Sequence, residues 1–305
     1  MLIKLLNTLL MVVVALSITG VINRTRALLA GRRGTRFLQH IYNVRLLLRK
    51  GSVYSTTTTA LFRIAPCVYL GAALMAFLFI PIANLEPLLS FHGDIILVAY
   101  LLAFSRLALI LAAMDTGSSF EGMGAAREAL YGALVEPALM IGLATLALFC
   151  GDSSFAEIFS EGQVLDVNLT IVLLLVAYIF VIIMFIEGGR VPVDDPKTHL
   201  ELTMIHEVMC LDYSGIDLAM IQMAGWLKNA IFAIIAANAV SAVFCFHWGF
   251  AAPLAILGAG ISVGVVESLR ARNKLSRNIT YILTLSALSA LVLLVGFLLM
   301  QDIQI

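Results

Sequence analysis

Charge is scarce in this chain. Only 12% of its 305 residues are Asp, Glu, Lys or Arg, against about one-quarter in an ordinary soluble domain. A soluble protein of this length needs a polar surface around its core. Nineteen basic and nineteen acidic residues would cover such a surface badly. This excludes an ordinary soluble domain and fits a chain whose outer surface meets lipid. Cysteine is thin as well. Cys67, Cys150, Cys210 and Cys245 stand singly, with no Cys-x-x-Cys pair, so iron–sulfur and structural zinc signatures are lacking. They read as small apolar fillers. The histidines are scattered, and His199 with His206 on one helix face would be two ligands, too few for a metal site. The net charge is zero, which gives no reason to invoke nucleic acid. No internal repeat stands out, and the matched halves of inverted-repeat carriers are missing.

Long apolar runs take the place of what is lacking. Eight of them, at roughly 2–23, 64–83, 93–113, 126–149, 169–187, 218–246, 251–269 and 279–300, can each cross about 30 Å of hydrocarbon. The expected fold is an all-α polytopic membrane protein with about eight transmembrane helices, 1–305 forming one integral membrane domain. The first run follows Lys4 like a signal peptide, but further spans follow it and it reads as a retained helix. Basic residues fix the expected orientation. Arg24, Arg26, Arg32, Arg33, Arg36, Arg45, Arg49 and Lys50 crowd the first loop, and Arg270, Arg272, Lys274 and Arg277 the last. The second, fourth and sixth loops carry neither Lys nor Arg. The positive-inside rule puts the odd loops in the cytoplasm of a prokaryotic inner membrane and both termini outside.

Function is sought among ionisable residues in or beside the spans, where a charge costs roughly 2.5–3.5 kcal/mol at the centre and persists when paired, wet or proton-carrying. The stretch AAREALYGALVEP places Arg127 and Glu128 near one end of a span and Glu136 deeper, just before Pro137. The eight-residue step between the acids is about 12 Å of rise and roughly 80° of rotation, so both can face one bundle interior. Pro137 removes a backbone donor and loosens the turn beside Glu136. Glu128 and Glu136 are candidate proton-transfer groups, against the plainer reading of an Arg127–glutamate pair. Arg106 and Asp115 read as a pair or interface anchors that stabilise acids on neighbouring helices. Glu267 and Arg270 are spaced to pair across one turn.

Two loops are distinctive. The basic loop 24–62 contains RRGTRFLQHIYNVRLLLRKG, whose interleaved apolar residues predict an interfacial amphipathic helix against lipid headgroups or an acidic partner. The acidic loop 188–217 follows Glu187 and carries Arg190, Asp194, Asp195, Glu201, Glu207, Asp212 and Asp217. Pro192 and Pro196 bar a regular helix from its first part. Residues 197–211 are expected as a short amphipathic helix with Asp195 as its cap. Such a loop suits a cavity lining or the docking of a soluble subunit.

These stretches resemble a known family along nearly the whole sequence, in matching order. EGGRVPVDDPKTHLEL at 187–202 is similar to the loop pattern E-x-N-R-x-P-F-D-L-x-E-x-E-x-E-L of the membrane subunit 1 of respiratory complex I. Glu187, Arg190, Pro192, Asp194 and Glu201 keep the family identities. MDTGSSFEGMGAAREALYGALVEP at 114–137 and ESLRARNKLSR at 267–277 resemble the membrane anchor subunit of group 4 nickel–iron hydrogenases, of the formate hydrogenlyase and hydrogenase 4 type. DYSG at 212–215 resembles the later EYS of complex I. There are departures. Gly189 stands where complex I has asparagine, Lys197 and His199 replace two loop acids, and RRGTRFLQ lacks the form that helps build complex I's quinone chamber.

The resemblance implies a fold like that of complex I subunit 1 and a coupling role. Glu128, Glu136, Glu187, Asp194 and Glu201 would carry protonation or field changes, with Arg106, Asp115, Arg127, Arg190, Glu267 and Arg270 in supporting ion pairs. It implies no cofactor, metal or isolated activity in this chain. The nickel–iron centre and iron–sulfur clusters would belong to a hydrogenase-like large subunit and an iron–sulfur small subunit on the cytoplasmic side, with antiporter-like membrane subunits alongside. The alternatives are a quinone-site subunit of a complex I-like oxidoreductase and a stand-alone ion or solute carrier. The sequence leaves the electron donor and acceptor, and H⁺ against Na⁺, undecided.

Overall fold

The computed structural model describes residues 2–82, 85–159, 167–195, 204–243 and 251–300. These residues form ten α-helices: α1 (Leu2–Leu29), α2 (Gln39–Leu47), α3 (Ala60–Phe77), α4 (Asp94–Asp115), α5 (Ser119–Cys150), α6 (Phe155–Ile158), α7 (Val167–Glu187), α8 (Gly215–Val243), α9 (Ala251–Leu269) and α10 (Leu275–Met300). Eight of these, all but α2 and α6, are long and apolar enough to cross a membrane. The protein is a multi-pass membrane protein. Within a bilayer only intrahelical hydrogen bonds satisfy the backbone of an open chain, which is why every span is helical.

Each expected span has its helix, but the ends differ. α1 runs to Leu29, and α5 starts at Ser119, seven residues before its apolar run. At 32 residues α5 is about 48 Å long, well beyond about 30 Å of hydrocarbon, so tilt or protrusion takes up the excess. Pro137 sits inside it. Gly151, at φ +72°, closes it in the left-handed region, where glycine lacks the Cβ penalty. α3 opens on Thr59, whose Oγ1 accepts the Leu61 N–H. Asp115 at the end of α4 accepts from the Thr59 N–H at 2.8 Å and its hydroxyl at 2.9 Å. Asp115 is therefore a cap support for α3, not a partner of Arg106.

α8 is the hub. It packs on α7, α3, α9 and α1, while α5 packs between α4, α7 and α10. The interior is built of small and branched residues such as Ala224, Ala230, Ala233, Ile183 and Val176, all fully buried, which lets helices approach closely. Leu9, Phe104, Tyr178 and Leu294 are among the large apolar side chains left outside, as lipid contact requires.

The loop 24–62 contains the nine-residue helix α2, which packs against α8 and α1. The acidic loop departs from expectation. Of the helix expected over 197–211, the described part, 204–211, is turn with one 3-10 turn at Val208–Cys210, so no amphipathic α-helix runs through to 211. A Cβ on Gly124 of α5 would collide with Val208, so that turn is seated against bare α5 backbone and takes its shape from the contact. Glu201, Lys197 and His199, with the rest of 196–203, lie outside the described residues.

Candidate functional site

Arg106 organises the site. It lies in α4 nine residues before the helix end, with 5% of its side chain accessible. It crosses α5 at Gly132, where any Cβ would strike the guanidinium. Three carboxylates surround it. Nη2 donates to Glu187 Oε1, Nη1 donates to Glu136 Oε1 at 3.2 Å, and Nε stands 3.7 Å from Glu128. Arginine keeps its charge in any protein setting, so it is a fixed cation that lets three acids persist at membrane depth.

The cluster continues in both directions. On the membrane side, Lys228 of α8 places Nζ 3.8 Å from Glu187 Oε2 and 4.8 Å from the centre of the Tyr69 ring. On the loop side, His206 lies 3.4 Å from Glu128 and 3.6 Å from Asp194, and Arg272 lies 3.4 Å from Asp194. A line of alternating charge thus runs Arg272, Asp194, His206, Glu128, Arg106, Glu187, Lys228, with Glu136 attached to Arg106. Glu136 keeps 45% of its side chain accessible, so the line reaches the outer wall of the bundle there.

Asp194 is held by backbone donors. One carboxylate oxygen accepts the Ile205 and His206 N–H groups at 3.0 and 3.1 Å, and the other accepts the Asp195 N–H at 2.9 Å. Burial opposes its charge, yet His206 and Arg272 hold its carboxyl below the ordinary value. For His206, burial favours the neutral ring, but Glu128, Asp194 and Glu187 outweigh it and push the imidazole up to about 9. These carboxylates favour the imidazolium form of His206. Gly189 explains one departure from the complex I pattern. Its φ is +59°, and a Cβ there would meet His206 Nδ1 at 2.8 Å, so a side chain at 189 and this imidazole are incompatible.

Beside this line sits a second group. Glu267 pairs with Arg26 at 3.5 Å and Arg190 at 3.4 Å, and Arg26 reaches Asp195 at 3.8 Å. The expected Glu267–Arg270 pair is not formed, because the Glu267 side chain is fully buried and two other arginines reach it. Arg127 pairs with no glutamate among the described residues. Its Nη1 donates to the Met204 carbonyl at 3.1 Å, pinning the acidic loop to α5.

Of the candidates read from sequence, Glu128, Glu136, Glu187, Asp194 and Arg106 meet in one cluster. Arg190 and Glu267 form its neighbour, and Asp115, Arg127 and Arg270 stand apart from the line. Sequence reasoning missed Lys228, Arg272, Arg26 as a pairing residue, and Glu121. Lys228 had a signal, a single cation within an otherwise apolar run. Glu121 is fully buried and accepts the Asp212 N–H at 2.9 Å, fastening the acidic loop to α5. Cys210 lies near it; burial, with Glu121, Glu207 and Glu128 nearby, pushes its thiol up to about 12. It is an unreactive filler.

Far from the cluster, His92, Asp152 and Glu157 bring ligand atoms within 4.8 Å of one another. The His92 side chain is 80% exposed, and the group belongs to the opposite end of the bundle.

Fold and cluster together define a membrane-embedded bundle with a buried, charge-balanced line leading from a folded loop into its spans. The NADH dehydrogenase family model matches residues 3–300. The protein belongs to that family, the one of complex I subunit 1, and it is related to hydrogenase-4 and formate hydrogenlyase membrane subunits. Hydrogenase-4 component C of Escherichia coli (strain K12) is 35% identical over 70% of this chain and 67% of that protein. Formate hydrogenlyase subunit 4 of the same organism is 31% identical over 74% and 73%. Among solved structures, a chain of the membrane-bound sulfane sulfur reductase, an archaeal respiratory membrane complex, superposes with a TM-score of 0.76. It covers 97% of this chain and 98% of its own at 22% identity, a likeness of fold.

Proposed function

We propose that this chain is the membrane anchor and coupling subunit of a redox-driven ion pump in a prokaryotic inner membrane. It joins a soluble hydrogenase-like arm, with its large subunit and iron–sulfur small subunit, to antiporter-like membrane subunits. The observation that carries this reading is the unbroken line of ion pairs from the acidic loop to Lys228 and the partly exposed Glu136. Neighbouring pairs share His206 and Arg106, so a charge change at the loop alters the field at Glu136. Similarity to hydrogenase-4 component C and formate hydrogenlyase subunit 4 supports hydrogenase-type partners. The basic loops support a cytoplasmic position for the loop end of the site. Nickel–iron and iron–sulfur chemistry belongs to the partners in this reading, and no electron passes through this chain.

The test is the composition of the complex purified in mild detergent. Nickel–iron hydrogenase-like large and small subunits with antiporter-like chains are expected by mass spectrometry. NADH-oxidising partners would replace this reading with a quinone-reductase subunit. Recovery of the chain alone, after crosslinking, would leave a stand-alone carrier. Within the complex, Glu136→Gln and Glu187→Gln are expected to lower the ions moved per electron, and unchanged coupling in both would reduce the chain to a scaffold.

A further inference from the structure

Lys228 is the cation at the membrane end of the line, and unlike Arg106 it can release a proton. It sits thirteen residues into α8 with 4% of its side chain accessible. Its neighbours come from four helices: Glu187 from α7, Tyr69 from α3, and Arg106 and Glu128 from α4 and α5. Glu187 is therefore a carboxylate between two cations of different kinds. Arg106 takes Oε1. Oε2 faces the Lys228 ammonium at 3.8 Å.

The two cations also decide which ion fits. A hard metal cation binds through several oxygen ligands and is repelled by a unit charge held a few ångströms away. Both oxygens of Glu187 face fixed or resident cations, and Glu128 and Glu136 share Arg106. Glu187 is thus poorly placed to ligate sodium. A proton needs only one lone pair. Arginine does not release its proton, whereas a buried lysine does so readily.

We infer that the ion handled at this cluster is the proton and that Lys228 is its carrier, an assignment that rests on the coupling reading above. The Lys228 ammonium gives a proton from Nζ to Oε2 of Glu187, turning the ion pair into a neutral amine and a carboxylic acid. The four-carbon lysine stem closes the remaining gap by rotation. The acid then passes the proton on, and the next proton re-forms the ammonium. Arg106 stays charged throughout and keeps Glu187 in place.

The experiment uses the whole complex in sealed vesicles, driven by reduced methyl viologen, with a pH-sensitive dye and radiolabelled sodium read in parallel and normalised to electrons transferred. In sodium-free buffer the wild type is expected to move protons. Lys228→Arg, which keeps the charge but not the proton, is expected to lose that movement. Lys228→His is expected to restore part of it with the optimum moved to lower pH, since imidazole titrates near 6.5 and lysine near 10.4. A bystander that merely fills space would not produce that shift. Sodium-dependent proton movement, uptake of labelled sodium, or identical behaviour of the Arg and His variants would overturn the assignment while leaving the coupling reading intact. Electron transfer by the wild type that moves neither ion would overturn the coupling reading and this assignment with it.

Discussion

The two ends of the bundle are held together by different chemistry. At the end with the acidic loop, buried charges meet one another: Arg106 with three glutamates, Lys228 with Glu187, and Arg26 and Arg190 with Glu267. At the other end, neutral amides meet backbone. Asn7 donates to the Ile80 carbonyl at 3.2 Å and accepts the Ile82 N–H at 2.9 Å, and Asn238 donates to the Pro81 carbonyl at 2.8 Å. Asp94, the buried acid there, is consumed locally, accepting from the Ser154 hydroxyl and the Phe155 N–H. Among the described residues, the buried side-chain atoms without a hydrogen bond fall at the charged end or along the spans toward it, including Arg106 Nε, Glu187 Oε2, His206 Nδ1, Glu267 Oε2 and Asn229 Oδ1. A fold that needed only bracing could use amides at both ends. Charges left incompletely bonded cost stability, and the coupling role proposed above would give them a use.

The largest test of this contrast is Arg106→Leu. It takes the shared cation from three acids, leaving Glu187 to Lys228 and Glu128 to His206, and breaking a buried charge network by removing one partner costs about 3–5 kcal/mol. The expected outcome is a large fall in the detergent melting temperature or failure to assemble. Neutralising Glu187 together with Arg106 is expected to recover part of the loss, because one of those acids is neutralised with its partner. Equal damage from single and double variants would mean that Arg106 acts by packing across Gly132 and not by charge.

His206 tests the charged end by pH. Its folded value of about 9 lies above the ordinary 6.5, so its contribution is full below pH 6.5 and fades as pH rises through 9. Linkage at 1.36 kcal/mol per unit sets a ceiling of about 3 kcal/mol. The wild type should lose stability between pH 6.5 and 9. His206→Gln should be less stable at pH 6 and flat across that window. A wild type as flat as the variant would show that the imidazole is neutral in the fold.

Much of this architecture is legible in the residues alone, and the gaps have physical causes. The spans are legible because a bilayer demands long apolar runs. The start of α5 is not, because Ser119, Glu121, Gly122 and Gly124 lower the apolar signal of turns that are nonetheless helical and lie under the acidic loop. Candidate acids can be named because charge at membrane depth is expensive, but partners cannot. Arg106 and Glu187 are 81 positions apart, and the expected Glu267–Arg270 and Arg127–glutamate pairs lose to distant arginines and a backbone carbonyl. Lys228 escapes notice because one cation barely alters the hydropathy of the run around it. Gly189 looks like a loss relative to complex I, although it is the space that His206 occupies.

That space gives the next smaller effect. Gly189→Ala forces a left-handed φ on a residue with a Cβ and pushes it toward the imidazole, at about 2 kcal/mol. Part of the loss should be pH-dependent, because a displaced His206 leaves Asp194 and Glu128. Combining it with His206→Gln should remove the pH-dependent part and keep the backbone strain.

The neutral end supplies the smallest expected effect and the control for the whole contrast. Asn238 is 1% exposed, and Asn238→Ala removes the donor to the Pro81 carbonyl, at a cost of about 1 kcal/mol. Neither partner titrates, so the loss should be the same at pH 6 and pH 9. No charge is stranded, so ions moved per electron should stay at the wild-type level. A melting shift as large as that of Arg106→Leu, or a coupling defect, would show that the amide-braced end moves with the charged one and that the two ends form a single working unit.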